Sequence, residues 1–419
     1  MSDDRLTDAD HRVVTTAGHV DHGKSTLLRA LTGMEPDRLA EERRRGLTLD
    51  LGYAWTTLGG GDEGPVTVAF VDVPGHERFV ATMLAGAGAA PAALLAVAAD
   101  DGWSRQSSEH RDVLDLLGVP AVALVVTKAD VVEGGRVEEV VADARAAVSG
   151  TSLADAPIVV TDAVSGRGID ELREVVAARL AEIPAPQDLG RPRLWVDRSF
   201  AVPGAGTVVT GTLTQGWLAV GDEVRLLPDG RRSRLRGVQS LGEPVARAGP
   251  GHRVALNLVG VVHTEVARGD VVVGSGPWRT TDVAECWIRA LPGHRVQRVG
   301  AWHVHVGSAS TPARLLPIAG EFGGDAEEAS GAVRILLEDR LPLVAGDRLV
   351  LRETGRRAVA AGGVVASARN DGVLIGRTAN TVPGHGNVLI LAPPLVVEAD
   401  EVVAIVQAVT RGVAGLRVG

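Results

Sequence analysis

The sequence predicts a doubly wound α/β domain with a mostly parallel sheet, followed by two all-β barrel domains. Three observations carry this. Apolar strand-like runs alternate with helical stretches over the first 183 residues. A proline-rich break, Ile183-Pro184-Ala185-Pro186 and then Pro192, ends that pattern. Beyond it, short β-rich runs are separated by glycine turns. A chain of 419 residues is long enough to bury a core in each of two or three domains.

In chain order, the strand-like runs of the first unit are Arg12–Thr16, Val66–Val71, Ala92–Ala98, Ala121–Val126 and Pro157–Val160. Helical patterns cover Ser25–Leu31, Glu109–Leu117, Val137–Val148 and Asp170–Ile183. This gives a first domain over 1–183 and a linker over 184–193. A β-barrel over 194–276 follows, its turns marked by Gly204-Ala205-Gly206, Gly221-Asp222, Asp229-Gly230 and Gly249-Pro250-Gly251. Gly276-Pro277 marks the next boundary, and a second barrel is expected over 279–365. Residues 366–419 form an apolar, glycine-rich tail in which no motif is placed.

Composition narrows the function classes. Hydrophobic residues at 45% and charged residues at 23% exclude a disordered chain. The single cysteine, Cys286, excludes an internal disulfide framework and points to the cytoplasm. Met1 to Asp10 is polar and acidic, unlike a signal peptide, and no apolar run is long enough to span a membrane. A net charge of −9 supplies no general attraction for nucleic acid, so any RNA contact is local. Only Lys24 and Lys128 are lysines among the 43 basic residues; the rest are arginines. A compact ammonium is retained where a planar fork would not fit against a phosphate or a base.

Each lysine lies in a nucleotide-type motif. Gly18-His19-Val20-Asp21-His22-Gly23-Lys24-Ser25, followed by Thr26, has two glycines flanking four residues and then Lys-Ser, between a strand and a helix. Backbone N–H groups there would cradle a β-phosphate, Lys24 would bridge β and γ oxygens, and Ser25 would bind Mg²⁺. Asp72-Val73-Pro74-Gly75-His76 follows an apolar run. Asp72 at a strand end can hold the Mg²⁺ shell, Gly75 can set an N–H against a γ-phosphate, and His76 would orient the attacking water. Thr127-Lys128-Ala129-Asp130 ends another strand. The Asp130 carboxylate can accept both guanine N1–H and the N2 amino proton, a pair adenine lacks, and the Lys128 stem would lie along the purine. At Asp162-Ala163 the Ala163 N–H can meet the base O6, although a plain loop reads these residues equally well. Between the first two motifs, Thr48 is placed to meet Mg²⁺ and the γ-phosphate. The neighbouring Glu41–Arg45 run fits either RNA phosphates or a solvated helix face. No nucleophile–base pair or zinc spacing is present, and His303 and His305 read as structural.

Together these segments resemble a translational GTPase. Gly18–Ser25, Gly46–Thr48, Asp72–His76 and Thr127–Asp130 occur in that family's order, and Asp197–Gly211 resembles the start of domain 2 in elongation factor Tu and its relatives. Within that family the chain is most similar to the bacterial selenocysteine-specific elongation factors, through Arg45–Ala54, Met83–Gly86, Gly251–Asn257 and Thr127, where most relatives have asparagine.

The resemblance implies an α/β P-loop G domain followed by two barrels. It also implies GTP/GDP and Mg²⁺ as ligands and GTP-dependent delivery of selenocysteinyl-tRNA to the ribosome at recoded UGA codons. His76 matches the catalytic histidine, Val20 and Leu47 the hydrophobic gate, and Arg198 and Arg253 the arginines of the aminoacyl pocket. A selenol is largely ionised at neutral pH and a serine hydroxyl is not, so two guanidinium groups would favour the former. A monomer is expected. Asp162 departs from the family's small residue under the base. Residues 366–419 are too short for the family's C-terminal winged-helix array, so an mRNA hairpin is a partner only where that array exists elsewhere. Two other readings stand beside this one: another tRNA-delivering translational GTPase, of the general elongation or initiator type, and a GTP-binding RNA-binding module impaired by loss of the C-terminal region.

Overall fold

The computed structural model describes residues 10–36, 48, 50–59, 64–76, 80–88, 90–296, 300–320, 329–355, 358–370, 373–378 and 388–392. Leu47, Gly46 and the Glu41–Arg45 run lie outside them.

The first domain is built on a six-stranded sheet. Its strands are β1 (Asp10–Ala17), β2 (Gly52–Leu58), β3 (Val66–Asp72), β4 (Ala92–Ala98), β5 (Ala121–Thr127) and β6 (Ile158–Val160), in the spatial order β2-β3-β1-β4-β5-β6. All neighbours are parallel except β2, which runs antiparallel to β3 at the edge. Strands β3, β4 and β5 are buried at every position, which explains their largely apolar sequences: a strand covered on both faces has no solvated side. Helices α1 (Lys24–Thr32), α2 (Val80–Ala87), α3 (Arg105–Leu116), α4 (Arg136–Val148) and α5 (Ile169–Glu182) supply the cover. In β1 the alternation is visible directly. Val13 packs with Leu84, Leu95 and Leu114 on one face, whereas Val14 packs with Leu28, Phe70 and Leu172 on the other.

Three elements differ from the sequence reading. Helix α3 begins at Arg105, four residues before the expected Glu109, because Ser104 and Ser107 form a reciprocal cap. Strand β2 and helix α2 were not among the expected runs; Trp55, Thr56 and Thr57 in β2 have the partly exposed faces of an edge strand.

The second domain is a closed six-stranded antiparallel barrel. Its members are β7 (Arg193–Trp195), β9 (Gly206–Thr214), β11 (Glu223–Leu227), β12 (Arg231–Ser240), β15 (Arg253–Leu258) and β16 (Val271–Gly274), closed by pairing of β11 with β12. Short strands β8 (Arg198–Val202), β10 (Leu218–Ala219), β13 (Glu243–Val245) and β14 (Arg247–Ala248) attach around it. The third domain is also a closed barrel, β17 (Thr281–Ala290), β18 (Trp302–Val306), β19 (Ala309–Gly320), β20 (Ser330–Leu341), β21 (Arg348–Glu353) and β22 (Ala358–Asn370), sealed by β17 against β22. Strand β22 runs across residue 365, and β23 (Val373–Thr378) and β24 (Val388–Ala392) extend the same sheet into the expected tail. No helix among the described residues is long and apolar enough to cross a membrane.

The barrels are joined by a buried ion pair. Arg193 gives two guanidinium hydrogen bonds to Asp347, at 2.8 and 2.5 Å, and a third to the Pro342 carbonyl at 3.2 Å. Its guanidinium lies 5.5 Å from the ring centroids of both Trp195 and Trp278. Asp347→Ala is expected to lower folding stability by about 3–5 kcal/mol, because it strands a buried cation. A denaturant midpoint unchanged from that of the unaltered chain would contradict this.

Candidate functional site

The motif residues gather at the C-terminal edge of the parallel sheet. The loop after β1 opens α1, the loop after β3 carries Asp72 to His76, and the ends of β5 and β6 carry Thr127–Asp130 and Asp162-Ala163. This edge is where open α/β sheets place ligands.

The phosphate loop is shaped by two glycines. Gly18 has φ +126°, and a Cβ there would fall 2.2 Å from the Ala96 carbonyl oxygen. Gly75 packs directly on the loop: a Cβ would lie 2.5 Å from the Val20 amide nitrogen and 2.7 Å from Lys24 Nζ. Glycine at 75 thus keeps open the space beside both groups that would hold a phosphate. Lys24 is buried and donates to the carbonyls of Gly18 at 3.1 Å and His19 at 2.7 Å. Val20 is half-buried, whereas Asp21 and Thr26 are exposed.

Three oxygens from separate segments converge beside Lys24. Ser25 Oγ donates to Asp72 Oδ2 at 2.6 Å and lies 3.1 Å from Thr48 Oγ1. Thr16 Oγ1 donates to Asp72 Oδ1 at 2.7 Å and accepts the Val73 amide at 3.1 Å, which orients the buried carboxylate. Hydroxyl and carboxylate oxygens are the donor set that Mg²⁺ takes, so these residues fit that ion. His76 follows Gly75 at a half-buried position.

At the base end, Lys128 adopts φ +55°, an uncommon conformation for a side-chain-bearing residue, and its ammonium lies 3.0 Å from Asp100. Asp130 is exposed. Two residues act differently from the sequence reading. Thr127 is buried and its hydroxyl donates to the His22 carbonyl at 2.9 Å, so it braces the phosphate loop from the end of β5. Asp162 accepts the Val164 and Ser165 amides at 2.8 and 3.0 Å, which shapes its own loop, and hydrogen bonds from Ser165 and then Val164 hold its carboxyl below the usual range. Ala163 is half-buried beside it.

One loop contact had no sequence signal. The Gly18 amide donates to His110 Nδ1 at 2.9 Å, from a helix 92 residues away. Burial, then Lys24, pushes the His110 pKa down to about 3. The ring is therefore neutral, with its proton on Nε2.

The two arginines assigned to the aminoacyl pocket meet at the joint of the first and second domains. The Arg198 guanidinium lies 4.9 Å and that of Arg253 4.1 Å from the Tyr53 ring centroid. Neither is an open anion receptor. Arg253 is paired with both oxygens of Asp197, and Arg198 with Asp50 and the Leu51 carbonyl. Arg268 reaches Asp50 at 2.5 Å and the Asp197 carbonyl at 3.0 Å. Burial works against the charged form of Asp50, but Arg198 and Arg268 outweigh it and lower its carboxyl pKa. Arg198 and Arg253 thus flank one aromatic ring, each paired with a carboxylate, and Arg268 shares Asp50 with Arg198.

Comparison with known proteins agrees with this layout. The family model for the elongation factor Tu GTP binding domain matches residues 9–182, and that for elongation factor Tu domain 2 matches 206–273. The model for the selenocysteine-specific elongation factor β-barrel domain matches 289–371. The chain is 38% identical over 354 residues to the selenocysteine-specific elongation factor of Desulfomicrobium baculatum, covering 84% of this chain and 55% of that protein. It is 30% identical to the factor of the same description from Methanocaldococcus jannaschii, covering 80% of this chain and 74% of that one. The crystal structure of a bacterial selenocysteine-specific elongation factor superposes with a TM-score of 0.77 at 29% identity, over 86% of this chain and 59% of the other. The chain thus spans little more than half the length of the bacterial relatives it matches. Its three matched domains and its identity to these proteins place it in the family of selenocysteine-specific elongation factors.

Proposed function

We propose that the chain is a GTPase that delivers selenocysteinyl-tRNA to the ribosome at recoded UGA codons, hydrolysing GTP on decoding. It works in the cytoplasm as a monomer, and it engages an mRNA hairpin only when joined to a winged-helix region. The observation that carries the GTPase reading is the convergence of Ser25, Thr48 and Asp72 beside Lys24, four residues brought together from three segments.

The loop amides of residues 18–24 bind the β-phosphate, and Lys24 exchanges its carbonyl partners for β and γ oxygens. Ser25, Thr48 and Asp72 hold Mg²⁺. When bound, that ion neutralises charge on the transferring phosphoryl group. Thr26 extends the same helix N-terminus. Gly75 lends its N–H to the γ-phosphate, and His76 orients water for attack. Val20 and Leu47 form the apolar gate that His76 passes. Asp130 accepts the guanine N1 and N2 protons, the Lys128 stem covers the purine, and the Ala163 amide meets O6. Thr127 and Asp162 support these contacts from behind.

The aminoacyl part of the reading is supported by the two guanidinium groups, of Arg198 and Arg253, that flank Tyr53 at the domain joint. A selenolate entering this cluster would compete with Asp50 and Asp197 for the Arg198 and Arg253 guanidinium groups, whereas a neutral serine hydroxyl would compete less well. The test is competition of selenocysteinyl- against seryl-tRNA, on the same tRNA body, for the GTP-bound protein. Tighter binding of the selenocysteinyl form is expected, and Arg253→Ala should narrow the preference by about tenfold, the worth of one charge-assisted hydrogen bond. Equal loss for both tRNAs would mean that Arg253 only holds the domain joint, and equal binding by the unaltered chain would remove the selenocysteine assignment.

A further inference from the structure

Beside the phosphate loop, two histidines and an aspartate converge on one point. His19 and His22 come from the loop itself and Asp101 from the turn after β4, and one ligand atom from each lies within 4.8 Å of the others. The His22 side chain is fully enclosed. Its Nδ1 is 3.1 Å from the Ala96 carbonyl and its Nε2 is 2.9 Å from Asp101 Oδ2.

Both of these neighbours are acceptors. A neutral imidazole has a single N–H, so it can satisfy one of them and must turn a lone pair toward the other. Burial favours that neutral state, working against the hydrogen bonds to Asp101 and Ala96, and the His22 pKa is lowered. With the proton on Nδ1 and given to Ala96, the Nε2 lone pair and the Asp101 carboxylate face each other. His19 Nδ1 stands 3.9 Å from the same carboxylate oxygen. A backbone carbonyl that takes the far N–H of the ring is the arrangement that orients metal-bound histidines.

We propose that His19, His22 and Asp101 form a site for a divalent transition ion of the zinc, nickel or cobalt class. Two imidazole nitrogens and one carboxylate oxygen suit such ions, whereas Mg²⁺ takes oxygens and belongs with Ser25, Thr48 and Asp72. Three protein ligands leave a fourth tetrahedral position for water. Bonds of about 2.1 Å set tetrahedral ligand atoms about 3.4 Å apart, between the 2.9 and 3.9 Å separations from Asp101 Oδ2. Asp101 is 52% exposed and His19 25%, which opens the site to solvent. A bound ion fastens the loop to the turn after β4 and so steadies the His19 and His22 carbonyls, the acceptors for Lys24 and Thr127.

The experiment is a titration of the nucleotide-free, magnesium-free protein with Co²⁺, read by visible absorption, and with Zn²⁺, read by calorimetry. One equivalent is expected to bind with tetrahedral cobalt bands, and excess Mg²⁺ is expected not to displace it. Asp101→Asn, at an exposed position that does not threaten the fold, and His19→Ala should each weaken binding by more than about tenfold, while His303→Ala leaves it unchanged. Absence of saturable one-to-one binding, displacement by Mg²⁺, or binding that survives both variants would overturn the proposal. None of these readouts involves GTP, so the result is independent of the nucleotide reading.

Discussion

His76→Ala is expected to leave GTP affinity within about twofold while lowering ribosome-stimulated hydrolysis by about 10²–10⁴-fold, the usual worth of a positioned acid–base or water-orienting group. The separation of the two effects follows from place. Lys24 and Ser25 open helix α1, whereas His76 follows Gly75, which comes from the loop after β3 and packs against Val20 and Lys24. On the proposed reading, removing the imidazole takes away the group that orients the attacking water and none of the phosphate ligands. Single-turnover hydrolysis on ribosomes, beside nucleotide binding measured without them, checks the result. An unchanged hydrolysis rate would take His76 out of the mechanism. A parallel fall in affinity would make it part of the binding site instead.

Asp130→Asn is expected to weaken GTP binding by about 10²–10⁴-fold, from two charge-assisted hydrogen bonds of about 1.5–3 kcal/mol each. The same variant should gain affinity for xanthosine triphosphate. Xanthine carries a carbonyl where guanine has its amino group, so an amide that donates replaces a carboxylate that accepts. Asp130 is exposed, so the substitution leaves the fold intact. Guanine selectivity that persists in the variant would refute the base assignment.

Much of the nucleotide site was readable in the sequence because each part is a contiguous run. Gly18–Ser25, Asp72–His76 and Thr127–Asp130 each end a strand of one parallel sheet, and such strands all deliver their following loops to the same edge. What was not readable are the contacts between distant segments. His110 reaches Gly18 across 92 positions, and Arg268 reaches Asp50 across 218. Neither has a spacing to betray it, since packing alone brings the partners together. The bracing contacts of Thr127 and Asp162 are made by buried side chains at strand ends. Arg198 and Arg253 meet over Tyr53, yet the carboxylates paired with them, Asp50 and Asp197, carry no signal of that role in their own neighbourhoods.

Thr48 and Asp50 are separated by a single residue, yet one stands at the Ser25 hydroxyl and the other holds Arg198 and Arg268 of the second domain. A displacement of either end of that tripeptide is transmitted to the other. If the proposed function holds, linkage runs both ways: any factor by which GTP in place of GDP strengthens the grip on aminoacyl-tRNA equals the factor by which that tRNA favours GTP over GDP. A correctly charged tRNA would thereby prolong the triphosphate state of its own carrier.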